Sequence, residues 1–123
     1  MLRTVLIVED TDSGLETLEV ALARLPGVAL RLVKTAEEAL EFLADDICAL
    51  VTDLNLPQMD GFALIEAVRA HPSLGLVPIV VVSGDSDPGT ALRLTALGAN
   101  AYFPKPFSPA EVRNRLEQLI HAS

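Results

Sequence analysis

Five short apolar runs alternate with longer stretches of helical period, and this alternation constrains the fold more than any other feature of the chain. Thr4–Val8, Ala29–Val33, Cys48–Thr52, Pro78–Val82 and Ala101–Phe103 read as strands. Between the first two, Leu15, Leu18, Leu22 and Leu25 recur at spacings of three and four, the mark of one helix face. Thr35 and Ser108 each stand three residues before a glutamate, Glu38 and Glu111, which predicts capping boxes opening the second and fifth helices. Pro109 then takes a first helical position, where its missing N–H is not needed. Gly61–Ala70 and Thr90–Leu97 supply the third and fourth helices, with Gly98 as the C-terminal stop of the fourth. The expectation is an α/β fold, (βα)5, a doubly wound parallel five-stranded sheet with helices on both faces.

The composition of the runs predicts the strand order. Val5–Val8, Ala49–Val51 and Ile79–Val82 are continuously apolar, as strands covered on both faces must be. Arg31 interrupts the second run and the fifth is short, so these two belong at the edges. Right-handed crossovers then favour the order 2-1-3-4-5. In such sheets ligands bind at the carboxyl ends of the strands, beside the point where the order reverses, here between strands one and three.

Composition excludes several classes. With 123 residues the chain fits one domain, 1–123, and a 50% hydrophobic content can fill a core. One cysteine, Cys48, rules out an internal disulfide or a multi-cysteine zinc site and fits a reducing, cytoplasmic setting. The longest apolar runs fall far short of the ~20 residues that span a bilayer, and the N-terminus reaches acid too soon for a signal peptide. A net charge of −8 argues against direct nucleic-acid binding, since phosphates reward a basic face. No G-x-x-x-x-G-K or G-x-G-x-x-G sequence is present, which removes the common nucleotide-binding enzymes.

The strand ends carry the chemistry. Glu9 and Asp10 follow strand one, Asp53 strand three, Ser83 strand four and Lys105 strand five, all on one rim. Three crowded carboxylates repel unless a cation joins them. A hard divalent ion with oxygen ligands, magnesium above all, suits one or two carboxylates plus waters and phosphate oxygens. Ser83 and Lys105 offer a hydroxyl and an ammonium to an anion. Lys34 and Lys105 are the only lysines among nine basic residues. A metal, a carboxylate, a hydroxyl and an ammonium together suit phosphoryl transfer.

Glu9-Asp10, the stretch Asp53-Leu-Asn-Leu-Pro-Gln-Met-Asp-Gly61, Val82-Ser-Gly84 and Tyr102-Phe-Pro-Lys-Pro-Phe107 together resemble the receiver domain of two-component response regulators, in order and spacing, from residue 4 to about 120. The resemblance implies a flavodoxin-like sheet with the same strand order. It implies that Asp53 accepts a phosphoryl group from a histidine kinase or histidine phosphotransfer protein, that Asp10 and Asp53 bind Mg2+ with the backbone carbonyl of Asn55, and that Glu9 orients the metal through water. It further implies that Lys105 holds the phosphoryl oxygens beside a cis Lys105–Pro106 peptide. Ser83 and Tyr102 become the switch, altering the surface of helix four, strand five and helix five for an output partner or a phosphorylation-dependent homodimer. Glu at position 9 and Ser at 83 stand where the family pattern has Asp and Thr, with the same chemical functions kept. No free substrate is turned over; the domain assists only its own phosphorylation and autodephosphorylation. The chain ends at Ser123, just after the fifth helix, as a single-domain regulator or one domain of a longer protein would.

Other readings fare worse. A haloacid-dehalogenase-type phosphohydrolase needs its nucleophile after strand one and a second acid two residues on, whereas Asn55 follows Asp53 at that spacing. A degenerate receiver would lack Asp53, Lys105 or the acidic pair. Asp12, Asp85 and Asp87 are expected to be solvated loop acids, His71 and His121 surface residues, Cys48 a core residue, and Gly61 a backbone device for a tight turn into its helix.

Overall fold

A computed structural model describes residues 2–122 of the chain. The order of elements is β1 (Arg3–Val8), α1 (Asp12–Leu22), β2 (Val28–Val33), α2 (Ala36–Glu41), β3 (Ile47–Thr52), α3 (Gly61–Ala70), β4 (Ile79–Ser83), α4 (Thr90–Ala96), β5 (Ala101–Pro104) and α5 (Pro109–Ala122). The strands form one parallel sheet in the order β2-β1-β3-β4-β5. The edge positions expected for strands two and five are those observed.

Burial explains that order. All residues of β3 and β4 are buried, whereas β2 and β5 are mostly half-buried and Arg31 is exposed. The two faces of the sheet carry separate cores. Leu6, Val8 and Leu50 pack with Ala36 and Ala39 of α2, Leu64 and Val68 of α3, and Leu94 of α4. Val5, Ile7 and Val51 pack on the other side with Leu18 and Leu22 of α1 and Val112 and Leu116 of α5. The strand period of two sends successive residues of β1 to opposite cores. Each such branched side chain contributes about 1.5–3 kcal/mol by leaving water.

The helix ends follow the sequence signals with two differences. Thr11, Thr35 and Asp60 cap α1, α2 and α3, each side-chain oxygen accepting an amide three residues on. Glu38 returns to the amide of Lys34 (3.4 Å) rather than to that of Thr35, so the expected box closes one residue early. Leu25 lies beyond the end of α1: the helix stops ahead of Pro26, and Leu25 reaches the core from the following turn, its amide on the Leu22 carbonyl. Gly98 ends α4 with a φ of 90°, the left-handed stop expected of it.

Candidate functional site

The register of the sheet builds the site. Val8 pairs with Val33 of β2 and Thr52 of β3, so the next residues, Glu9 and Asp53, emerge side by side at the reversal point. Their amides continue the ladder, Asp53 N–H to the Val8 carbonyl (3.0 Å) and Glu9 N–H to the Val33 carbonyl (3.1 Å). On the other flank Ser83 pairs with Pro104, and the Lys105 amide donates to the Ser83 carbonyl at 2.8 Å. Glu9, Asp10, Asp53, Ser83 and Lys105 therefore share the rim expected of them.

Asp53 is only 4% exposed. Its Oδ1 accepts the amides of Leu54 (2.6 Å) and Asn55 (3.1 Å), and its Oδ2 accepts Lys105 Nζ at 2.7 Å. Burial alone would push its carboxyl up. The Lys105 hydrogen bond and charge, with the two amides, outweigh that and hold it below the ordinary carboxylate range. Lys105 also reaches Glu9 Oε2 at 2.9 Å. Burial works against its ammonium, but bonds to Asp53 and Glu9 dominate and raise its pKa. The Lys105–Pro106 peptide is cis.

Glu9, Asp10 and Asp53 each present a carboxylate oxygen, and these oxygens lie within 4.8 Å of one another. Asp10 is exposed while its two neighbours are buried, so the cluster opens to solvent on one side. Three hard oxygen donors this close fit a magnesium ion, which keeps several waters and few protein ligands. Asn55, the third expected contributor, sits on the loop after β3 with its side chain exposed.

Gly61 is needed for close approach rather than for a special backbone conformation. A Cβ there would stand 2.3 Å from the Asp53 carbonyl oxygen and 2.8 Å from Leu54 Cα. The start of α3 is thus pressed against the chain that carries Asp53, and its amide bonds the Leu54 carbonyl at 2.9 Å.

Ser83 and Tyr102 meet on a residue that sequence reasoning set aside. Asp85 is not a solvated loop acid: its amide donates to Ser83 Oγ (3.2 Å), and its carbonyl accepts the Tyr102 hydroxyl (3.1 Å). Its carboxylate takes the Thr90 hydroxyl at 3.0 Å, tying the loop to the first residue of α4. Ser83 is fully buried, and Tyr102 is half-buried against the α3–α4 core. Asp12 is exposed as expected, but it opens α1 instead of lying in a loop, and it forms an ion pair with Lys34. Asp87 caps locally, accepting the Gly89 amide at 2.8 Å. His71 is half-buried, its Nδ1 accepting the Ser73 amide, and Cys48 is buried in the core as expected.

A groove of about 520 Å³ opens beside the site between the start of α1 and the turn after β5, lined by Thr11, Gly14, Thr17, Lys105 and Phe107 among others. A larger cavity, about 780 Å³ beside Leu2, Asp46 and His71, includes none of the rim residues. Among the described residues no helix is long and apolar enough to cross a membrane.

Residues 5–117 match the response regulator receiver domain family. The transcriptional regulatory protein GltR of Pseudomonas aeruginosa is 34% identical over 119 residues, covering 96% of this chain and 49% of GltR. A chemotaxis protein CheY homolog of Campylobacter jejuni is 28% identical, over 94% of this chain and 90% of its own length. The chain thus spans about half of the first relative and most of the second. Among solved structures, the chemotaxis response regulator CheY4 of Vibrio cholerae matches with a TM-score of 0.83 at 26% identity, covering 97% of this chain and 99% of that one. A response regulator described as putative from Chloroflexus aurantiacus matches with a TM-score of 0.83 at 34% identity, over 98% and 99%. A family match across nearly the whole length, on a sheet of the order and rim chemistry described above, means that the chain belongs to the receiver domains of two-component response regulators.

Proposed function

We propose that Asp53 is the phosphoryl acceptor of this domain and that its phosphorylation resets the Ser83–Asp85–Tyr102 cluster. The chain belongs to a family of phosphorylation-dependent signalling switches that work with histidine kinases and output domains, bind Mg2+ at an acidic pocket, and are not classical enzymes. The observation that carries the assignment is the state of the Asp53 carboxylate. One oxygen is fixed by two backbone amides and the other, among the described residues, is held only by a lysine that can leave it.

The step follows from those contacts. The amides of Leu54 and Asn55 fix Oδ1 and orient the carboxylate, leaving Oδ2 as the nucleophile. Lys105 moves its ammonium from Oδ2 to the oxygens of the incoming phosphoryl group, where it offsets their charge. The Oδ2–P bond forms as the bond from phosphorus to the donor's imidazole nitrogen breaks, and that nitrogen keeps the electron pair. Asp10 and Asp53, with the Asn55 carbonyl, would hold magnesium and Glu9 would reach it through water; when bound, the ion neutralises carboxylate and phosphoryl charge. Ser83 Oγ, now accepting from the Asp85 amide, turns to donate to the new phosphoryl group. Tyr102, bonded to the carbonyl of the same Asp85, then repacks and alters the face of α4, β5 and α5, where Leu92 is 78% exposed to an output partner or second copy.

Incubation with acetyl phosphate and magnesium, followed by intact-mass spectrometry at neutral pH, is expected to show one added phosphoryl group, lost in Asp53→Asn and absent without magnesium. Equal labelling of Asp53→Asn would place the acceptor elsewhere.

A further inference from the structure

Glu9 is the longest of the three rim carboxylates and the most deeply placed, at 1% exposure. Its side chain folds back over the start of α1. Oε1 accepts the amide (3.3 Å) and the hydroxyl (3.1 Å) of Thr11, and Oε2 accepts Lys105 Nζ. The same Thr11 hydroxyl accepts the Gly14 amide at 3.1 Å, so the helix cap and the carboxylate share one oxygen.

Gly14 lies in the first turn of α1 and is not among the glycines with positive φ. Its backbone does not call for glycine, and glycine inside a helix is inferior to alanine. What it supplies is space. A Cβ at position 14 would stand 2.7 Å from both Cγ and Cδ of Glu9 and 2.8 Å from Thr11 Oγ1. Such distances lie inside van der Waals contact. The far end of a glutamate could ordinarily swing away, but this one is buried and held by three hydrogen bonds. A methyl group at position 14 and Glu9 as seated here exclude each other.

We infer that Gly14 and Thr11 are positioning residues for Glu9. Gly14 leaves the notch that the arm of the glutamate folds into, and Thr11 pins one oxygen so that the other meets Lys105. The functional part of the inference rests on the rim being the magnesium and phosphoryl site, whereas its geometric part does not.

The test is a cycle of Gly14→Ala, Glu9→Ala and the double variant, melted in metal-free buffer and titrated with magnesium alone. Gly14→Ala is expected to lower the melting temperature by several degrees in the parent chain and by much less in the Glu9→Ala background. It is also expected to weaken magnesium binding roughly tenfold, as loss of a residue that orients a ligand does. Glu9→Asp, whose shorter arm can turn out of the notch, should restore most of that affinity in the Gly14→Ala chain. A Gly14→Ala chain that fails to fold while the double variant folds also supports the inference. A raised melting temperature, as helix propensity alone would give, overturns it, as does an equal change in both Glu9 backgrounds or loss of folding in the double variant. If the parent chain binds no magnesium, the metal site is wrong, while the melting cycle still decides the role of Gly14.

Discussion

Lys105→Met removes the ammonium from between two buried carboxylates while keeping an apolar stem of similar length. Its Nζ lies 2.7 Å from Asp53 Oδ2 and 2.9 Å from Glu9 Oε2. Removing one member of a buried ion pair destabilises by about 3–5 kcal/mol, because the remaining charge stays in a poor solvent. The lysine side chain is 32% exposed, so water screens part of the loss. Backbone amides continue to serve Asp53 Oδ1, and Thr11 continues to serve Glu9 Oε1. We therefore expect a loss of about 2 kcal/mol at pH 7, or about 6–10 °C in melting temperature for a chain of this length. The pH dependence has a definite sign. In the parent chain the lowered pKa of Asp53 gives stability that is present above the ordinary carboxylate value and lost as pH falls through the lowered one. In the variant the lysine's hydrogen bond and charge no longer oppose burial and only the two amides do, so the depression is lost in part or whole and the variant is penalised chiefly above the ordinary value. The gap between the two melting curves, recorded in metal-free buffer from pH 4 to 8, should be widest near neutrality and close toward acid. A gap that stays constant with pH, or no loss at pH 7, would refute the argument.

Two structural substitutions complete the set. Gly61→Ala forces a Cβ onto the carbonyl of Asp53 and the Cα of Leu54, backbone with little room to retreat, and should destabilise by about 1–3 kcal/mol in urea unfolding while slowing phosphorylation; an unchanged midpoint would mean that α3 can slide. Arg69→Ala removes a guanidinium that donates to the carbonyls of Val77 (2.8 Å) and Gly98 (2.6 Å) and to Asn100 Oδ1, joining the turns before β4 and β5. A loss of about 2–4 kcal/mol in urea is expected from charged hydrogen bonds of this kind, with labelling of Asp53 retained in the folded fraction. A loss below about 1 kcal/mol would show that water replaces the guanidinium.

The sheet was legible because burial on both faces leaves a compositional trace: Val5–Val8 and Ile79–Val82 cannot be other than central strands, and Arg31 cannot be central. The rim residues were legible for a related reason, since charged side chains directly after such strands have few purposes. Leu25 misled because a buried leucine in a turn carries the same periodic signal as one in a helix. Asp85 was missed on physical grounds: it joins Ser83 to Tyr102 through its amide and carbonyl, groups that every residue type possesses. Only its carboxylate bonds, Oδ2 accepting the Thr90 hydroxyl and Oδ1 the Asp87 amide, depend on its being an aspartate. Gly14 did leave a signal, a poor helix former just inside a helix with no turn to justify it, but the signal means little until Glu9 is seen lying across it.

The contacts at Asp85 also bound what the proposed switch can do. For Ser83 to reach a phosphoryl group its hydroxyl must give up the Asp85 amide, a neutral hydrogen bond worth about 0.5–1.5 kcal/mol net, for a bond to an anion worth about 1.5–3. Between matching ends of these ranges the difference is about 1–1.5 kcal/mol, which biases the two arrangements roughly tenfold. A near-complete change of population needs about 5.5 kcal/mol. Ser83 alone therefore cannot throw the switch. The remainder has to come from Lys105, whose ammonium must leave Asp53 Oδ2 on phosphorylation, and from the repacking of Tyr102 once its carbonyl acceptor on Asp85 has moved. With the coupling of the proposed switch spread over three contacts in this way, no single one of Ser83, Tyr102 and Lys105 would account for the response.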